Sequence, residues 1–464
     1  MRWSAETSSL DIVTLRAAYA AGATTPEAVI GAIHDRIAAA GRTHAWIHLA
    51  PRETAMAAAR QAPPGPLHGI PFSVKDCNDV PGMPTTNAFP PTAYLAGSTG
   101  QAITRLHDAG AVCLGKTNMD QFGIGLVGRR TPYGACDCVF DSAYISGGSS
   151  SGSAVSVALG QASFSIANDA AGSGRVPAGF NNIVGLKPTP GLVSNACVTG
   201  GGCVKTIETV SVMALTGEDA LEVLARIAGF DASQPFSRPE ADATSLTLHA
   251  PPARFVFGIP KGNALRFFGD TAQEAVFARA VSSLEAMGGT VEEVDFAPFE
   301  EVQRILYDGP WIAERALVLD AILDTHADAI HPVTRRILEA GGSYSAKDAF
   351  RAIHRVAELR AATRPLWQRL ATLVVPTTPT IYRHSEIEAE PILLNARLGI
   401  YTNFVNLMGL CGMAVPAAFR SDGLPAGITL LGAGFDDGAI ASLGTAFHRR
   451  QGLTLGATGQ AYPA

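Results

Sequence analysis

The chain has 464 residues, of which 35 are basic and 41 acidic, so 16% are charged while 47% are hydrophobic. Soluble domains average about 25% charge, so a chain this apolar is excluded from the disordered class, and 48 glycines without a Gly-X-Y period exclude a collagen-like fibre. A net charge of −6 without a Lys/Arg run argues against nucleic acid or an anionic membrane as partner, and no apolar stretch approaches the roughly 18 residues of a membrane span.

Residues 1–9 carry Glu6 and no apolar run, so they do not read as a signal peptide. Residues 9–22 and 25–40 read as helices. In the second, Thr25 is placed as N-cap, Pro26 takes the first helical position and Glu27 lies in the first turn. Ala28, Val29, Ala32, Ile33, Ile37 and Ala38 recur there at helical spacing. The Pro/Gly segment 62–66 closes this helical opening. Strands are then predicted at 70–74 and 111–114 around a helix near 99–109, an alternation that indicates an α/β domain. Residues 123–204 are dense in Gly and Ser, and 154–159 open a possible helix. Beyond them the sequence predicts a helix at 218–229, a surface loop at 230–253 and a strand at 255–259. A helix at 272–287, a strand at 290–294, helices through much of 299–373 and a buried strand at 373–375 follow.

Two serine-bearing loops stand out: Gly147 to Ser153, and Asp169 to Arg175. Glycine lets a backbone approach a substrate closely, and consecutive free N–H groups can stabilise a developing oxyanion. Serine supplies a nucleophile or a proton relay but needs a base. Among eleven histidines, none lies between His107 and His249, the span holding both loops, although a distant histidine could fold back. Gly148-Ser149-Ser150-Ser151-Gly152 fits the G-x-S-x-G nucleophile elbow literally, but three consecutive serines make that match cheap and no clear apolar strand precedes it. A phosphate-binding loop fails for want of Lys-Ser/Thr after the glycines. Lys75 is the other candidate, at the end of the apolar run from Ile70 to Val74. Buried there, its amine could serve as a base; the plainer reading is a solvated lysine paired with Asp76 or Asp79.

Lys75, Ser149 and Ser173 in this Gly/Ser setting resemble the Ser-cisSer-Lys triad of the amidase signature family. The likeness continues through Gly185 to Thr189, Gly191 to Ser194, Val375 to Pro379, Thr402 to Leu407 and Gly423 to Gly427, and spans essentially the whole chain. Gly115 to Phe122, Gly174 to Ala178 and Phe180 to Val184 resemble the allophanate hydrolase amidase domains within that family. The resemblance implies an α/β amidase signature fold, a large mixed sheet flanked by helices. It implies one amidase domain over 1–464, with a helical segment 1–66 packed on a catalytic core 67–464. It implies Ser173 as nucleophile, Ser149 as relay held by a cis Gly148–Ser149 peptide, and neutral Lys75 as base. The N–H groups of Ala170, Ala171, Gly172 and Ser173 would form the oxyanion hole, with Asp169 and Arg175 supporting the loop. No metal or organic cofactor is implied, and a cytoplasmic homodimer is.

The same resemblance implies allophanate as substrate, its carboxylate bound by Tyr307 and Arg315. Eight residues are about two helical turns, so both would share one face if the segment is helical. Without the resemblance, Tyr307 reads as core and Arg315 as the partner of a surface acid. The chain departs from the family in Ala167-Asn168-Asp169-Ala170, where Gly-Thr-Asp-Thr is usual, and in 195–209, where Gly200, Gly201 and Gly202 replace a bulkier turn. A C-terminal domain common in relatives is not found before Ala464. Seven cysteines, an odd number, fit free thiols in a reducing compartment. Cys136, Cys138, Cys197 and Cys203 lack zinc-site spacing, as do His326 and His331. Three alternatives stay open: an amidase for another small carboxylate-bearing amide such as a biuret relative, an amidase component of an amidotransferase, and an inactive homologue.

Overall fold

A computed structural model of the chain describes residues 8–196, 204–307 and 309–463. Eleven strands form one sheet. In chain order they are β1 (Trp46–Leu49), β2 (Pro71–Lys75), β3 (Val112–Thr117), β4 (Phe164–Asp169), β5 (Val184–Lys187) and β6 (Thr209–Ala214). β7 (Phe255–Pro260), β8 (Gly289–Val294), β9 (Thr372–Pro376), β10 (Cys411–Phe419) and β11 (Pro425–Gly432) complete it. The spatial order is β1-β3-β2-β4-β6-β5-β10-β11-β9-β7-β8. β2 runs parallel to β3 and β4, and β9 and β8 run parallel to β7; every other pair is antiparallel. The sheet is therefore mixed, as the expected fold class requires. β2, β4, β5, β6 and β11 are buried at every position. Strands buried throughout need cover on both faces, and the flanking helices supply it.

The pairing places the site. Val74 on β2 lies opposite Ile166 on β4, so the parallel strands deliver Lys75 and Asp169 to the same end of the sheet. β6 arrives there from the other direction, with Thr209 opposite Asp169. Helix α1 (Ser151–Ala158) starts two residues after Ser149, and the short helix α2 (Val176–Phe180) follows the Ser173 loop.

Several expectations need correction. The opening segment is not wholly helical: β1 pairs antiparallel with β3 at the edge of the sheet, with Leu49 opposite Gly115. Four residues carry too little periodicity to announce such a strand. The first helix is shorter than 9–22, running Ile12–Ala20 behind the Asp11 cap. The second matches closely at Pro26–Ala39, with the Thr25 hydroxyl accepting from the Ala28 N–H. β4, β5, β6, β10 and β11 are not anticipated, because Ser, Asn, Gly and Pro interrupt their apolar runs. Pro416 in β10 sits at a register shift, where its missing N–H is tolerated. Among the described residues no helix is long and apolar enough to cross a membrane. Nor are three His, Cys, Asp or Glu grouped to hold a metal there. Cys136 and Cys138 donate to the carbonyls of His44 and Phe180. Cys197, Cys203 and Gly200 to Gly202 lie outside the described residues.

Candidate active site

Lys75 is only 2% exposed and its Nζ donates to Ser149 Oγ at 2.7 Å. The solvated alternative fails on both proposed partners. Asp76 pairs with buried Lys116 at 3.2 Å, and Asp79 accepts from Thr85 and Tyr94. Ser149 follows a cis peptide from Gly148. Only glycine fits at 148: a Cβ would lie 2.1 Å from Asp120 Oδ2 and 2.6 Å from the Gly128 nitrogen. Asp120 fixes that turn by accepting the N–H groups of Gly128 and Arg130 at 2.9 Å each. Ser150, the centre of the literal elbow motif, donates instead to the Asn168 carbonyl.

Ser173 lies on the loop between β4 and α2 and is 5% exposed. It lines one small cavity together with Lys75, Ser149, Cys77, Ala170 and Glu208. Asp169 organises the loop. Its Oδ1 accepts the Gly172 N–H at 2.8 Å, its Oδ2 the Gly174 N–H at 3.1 Å, and Arg175 clamps both oxygens at 2.9 Å. Burial pushes the Asp169 carboxyl up, but Arg175, Lys187 and the Gly172 amide outweigh it and hold it below its ordinary value. Its carbonyl accepts from Thr209 and Asn406 at 2.6 Å each. Thus the loop is tied down without the two threonine hydroxyls that are usual where Asn168 and Ala170 stand. Asn168 has its own use: its Oδ1 accepts from Asn78 at 2.7 Å and from Cys77 at 3.2 Å, bracing the turn after Lys75.

The Gly172 amide is engaged with Asp169. Of the four amides expected to form an oxyanion hole, those of Ala170, Ala171 and Ser173 keep no acceptor among the described residues.

Tyr307 and Arg315 line a neighbouring cavity with Gly125, Arg130, Ala171 and Trp311. They do not share a helix. Tyr307 ends one helix (Ala297–Tyr307) and Arg315 lies in the next (Trp311–His326), with Pro310 as its N-cap. Both side chains reach one cavity because the chain bends between the helices, an arrangement that helical spacing alone does not give. Tyr307 does pack against the core, with its hydroxyl accepting from Asn395 at 3.4 Å, but the plain reading of Arg315 does not hold. The adjacent acid, Glu314, bonds Thr206, and among the described residues Arg315 Nη1 reaches only the Gly123 carbonyl, at 3.5 Å. Gly123 also lines the cavity of Lys75 and Ser173, which connects the two sites.

Sequence reasoning missed Arg130 and Glu208. Arg130 is buried between the Ile124 and Pro391 carbonyls, and nothing local distinguishes it. Glu208 had a signal: a lone acid abutting an apolar strand in a charge-poor region. Burial pushes its carboxyl up to about 7, against the opposing pull of Lys75 and Arg315.

Residues 28–440 match the family described as Amidase. The chain is 40% identical to the urea amidolyase of Saccharomyces cerevisiae over 381 residues, 82% of this chain and 20% of that protein. It is 31% identical to a glutamyl-tRNA(Gln) amidotransferase subunit from Heliobacterium modesticaldum over 426 residues, 84% of each. The solved Kluyveromyces lactis allophanate hydrolase superposes with a TM-score of 0.90 at 34% identity, covering 98% of this chain and 75% of that one. The chain spans about a fifth of the length of the urea amidolyases it matches. Fold, sequence and the buried lysine–serine pair agree: the chain belongs to the amidase signature family, whose members hydrolyse C–N bonds.

Proposed function

We propose that this hydrolase acts on allophanate, releasing ammonia through Ser173, Ser149 and Lys75. Ser173 Oγ attacks the terminal amide carbonyl while its proton passes by Ser149 to the Lys75 amine. The amides of Ala170, Ala171 and Ser173 stabilise the oxyanion. Collapse breaks the C–N bond, Lys75 returns the proton through Ser149 to the leaving nitrogen, and ammonia departs. Water, activated by the same relay, then cleaves the acyl-enzyme to the dicarboxylate of the imide nitrogen and free Ser173. Tyr307 and Arg315 hold the substrate carboxylate, the guanidinium offering two parallel donors. The observation that carries the reading is the 2.7 Å contact between Lys75 and Ser149 inside a cavity that Ser173 also lines. The likeness to urea amidolyase and allophanate hydrolase supports the substrate.

We further propose that 1–464 work as one catalytic unit in the reducing cytoplasm. The test is ammonia release from allophanate against a panel of neutral amides. Wild type favouring allophanate, with loss of at least ~10³-fold in Ser173→Ala, supports the reading; equal rates on neutral amides overturn the substrate.

A second reading, an amidase component that works in an assembly with other chains, draws on the relative from Heliobacterium. The exposed apolar side chains Leu317, Phe350 and Ile353 favour it, and they equally suit the proposed homodimer. Size-exclusion chromatography from native extract separates these: co-elution with a different chain supports the assembly, and twice the chain mass supports the dimer.

A further inference from the structure

Among the described residues Glu208 is the single acidic side chain on the wall of the catalytic cavity, where Lys75, Ser149 and Ser173 also lie. It lines a second cavity as well, of about 460 Å³, whose wall carries Lys205, Arg238 and Arg360. The pairing of Thr209 with Asp169 fixes this position, because it holds the residue before β6 beside the Ala170 loop. The inner cavity is small, with about 20 Å³ free. Glu208 thus stands where a roomy basic chamber meets a tight reaction chamber.

We propose that Glu208 is a charge-selecting residue at this junction: protonated, it admits an anionic amide to Ser173, and ionised, it opposes one. The proposal rests on the amide-hydrolase reading above. The outer chamber suits capture of an anion, since Lys205, Arg238 and Arg360 surround it. Arg238 there is paired with Glu240 and stacked over Phe435, and Arg360 donates to the Leu407 carbonyl. An anion moving inward next meets Glu208. A carboxylate at that point repels it, whereas a carboxylic acid does not and offers an O–H donor.

The groups acting on Glu208 from the surrounding elements are Lys75 on β2, Asp169 on β4 and Arg315 on its helix. The Cys77 thiol beside it is pushed up to about 12 by burial and stays uncharged at neutral pH. The rise of the Glu208 carboxyl to about 7 puts its ionisation inside the working range of pH. For a raised carboxyl the sign is definite: the admitting form dominates below about pH 7 and is lost as pH rises through it.

The test uses two amides of equal size. Malonamate carries a carboxylate, with a methylene in place of the bridging N–H of allophanate; malonamide is uncharged. KM and kcat for both are measured from about pH 6 to pH 9 in wild type and in Glu208→Gln. The expected result is a KM for malonamate that rises about tenfold or more across that range in wild type and stays flat in the variant. KM for malonamide stays flat in both. An equal rise in Glu208→Gln, or a flat wild-type profile for malonamate, overturns the proposal. If the glutamine variant does not fold, the wild-type contrast between the two amides decides alone. Calorimetric binding of malonamate and malonamide to Ser173→Ala gives the same contrast without turnover. A chain that hydrolyses neither amide yet shows this pH-dependent binding contradicts the hydrolase reading and leaves the selection by Glu208 standing.

Discussion

Lys75 shows how one residue changes meaning between sequence and structure. Read locally it is a strand-end lysine with two acids nearby; in the fold those acids have other partners and its amine meets a serine hydroxyl. Residue types were legible at this scale, since two Gly/Ser loops and a lysine after an apolar run already limited the chemistry. Their convergence was not legible, because it depends on β2 and β4 lying side by side in parallel. Glu208 carried a local signal, but its place at the cavity was illegible for the same reason, as Lys75, Asp169 and Arg315 come from other parts of the chain. Arg315 carries a prediction here. It has no ion-pair partner among the described residues and lines its cavity with Tyr307. Lysine cannot reproduce a two-pronged guanidinium contact. Arg315→Lys should raise KM for malonamate about 10- to 100-fold while changing malonamide turnover little. Steady-state kinetics on both amides checks this, and a parallel loss on malonamide would assign Arg315 to the scaffold instead.

At the scale of elements, the Asp169–Arg175 loop is the most tightly specified segment. A buried ion pair, two loop amides and two donors onto the Asp169 carbonyl hold it between β4 and α2. That redundancy explains how Asn168 and Ala170 are accommodated where threonines are usual. Gly172 is the weak point for substitution. Its φ is +126°, and a Cβ there would sit 2.4 Å from the Thr402 hydroxyl, which itself bonds the Ala171 carbonyl. Gly172→Ala should therefore cost about 1–3 kcal/mol and misplace the oxyanion amides. Thermal unfolding should show a lower Tm and the assay a reduced kcat; an unchanged pair of values would contradict this view of the loop. The elements also show where spacing misleads. Tyr307 and Arg315 fit two turns of one helix on paper, but Pro310 caps a new helix between them, and the break is what lets both face one cavity.

Across the whole molecule, one sheet gathers chemistry from strands spread over most of the chain. Its α/β character was legible in the alternation before residue 120 and again from 255 to 294. The antiparallel centre was not, because β4, β5, β6 and β10 owe their burial to their neighbours rather than to apolar periodicity. Residues 8–61 belong to this fabric. β1 covers the edge of β3, and the Ala45 carbonyl accepts from the Asn118 N–H just beyond β3. Removing residues 1–61 would expose that edge, and bare edges invite intermolecular pairing. The shortened chain should aggregate on gel filtration and lose its cooperative melt; a monomeric, cooperatively folded remainder would show that the opening segment is dispensable.

In the proposed reaction Ser173 carries the acyl group during hydrolysis of a small anionic amide. Acid quenching during turnover of malonamate, followed by peptide mass mapping, tests it most directly. The expected result is an acyl adduct on the peptide at Ser173 in wild type, and neither adduct nor appreciable ammonia release in Ser173→Ala. An adduct on Ser149 or Ser150, or ammonia release at the wild-type rate in Ser173→Ala, would contradict it.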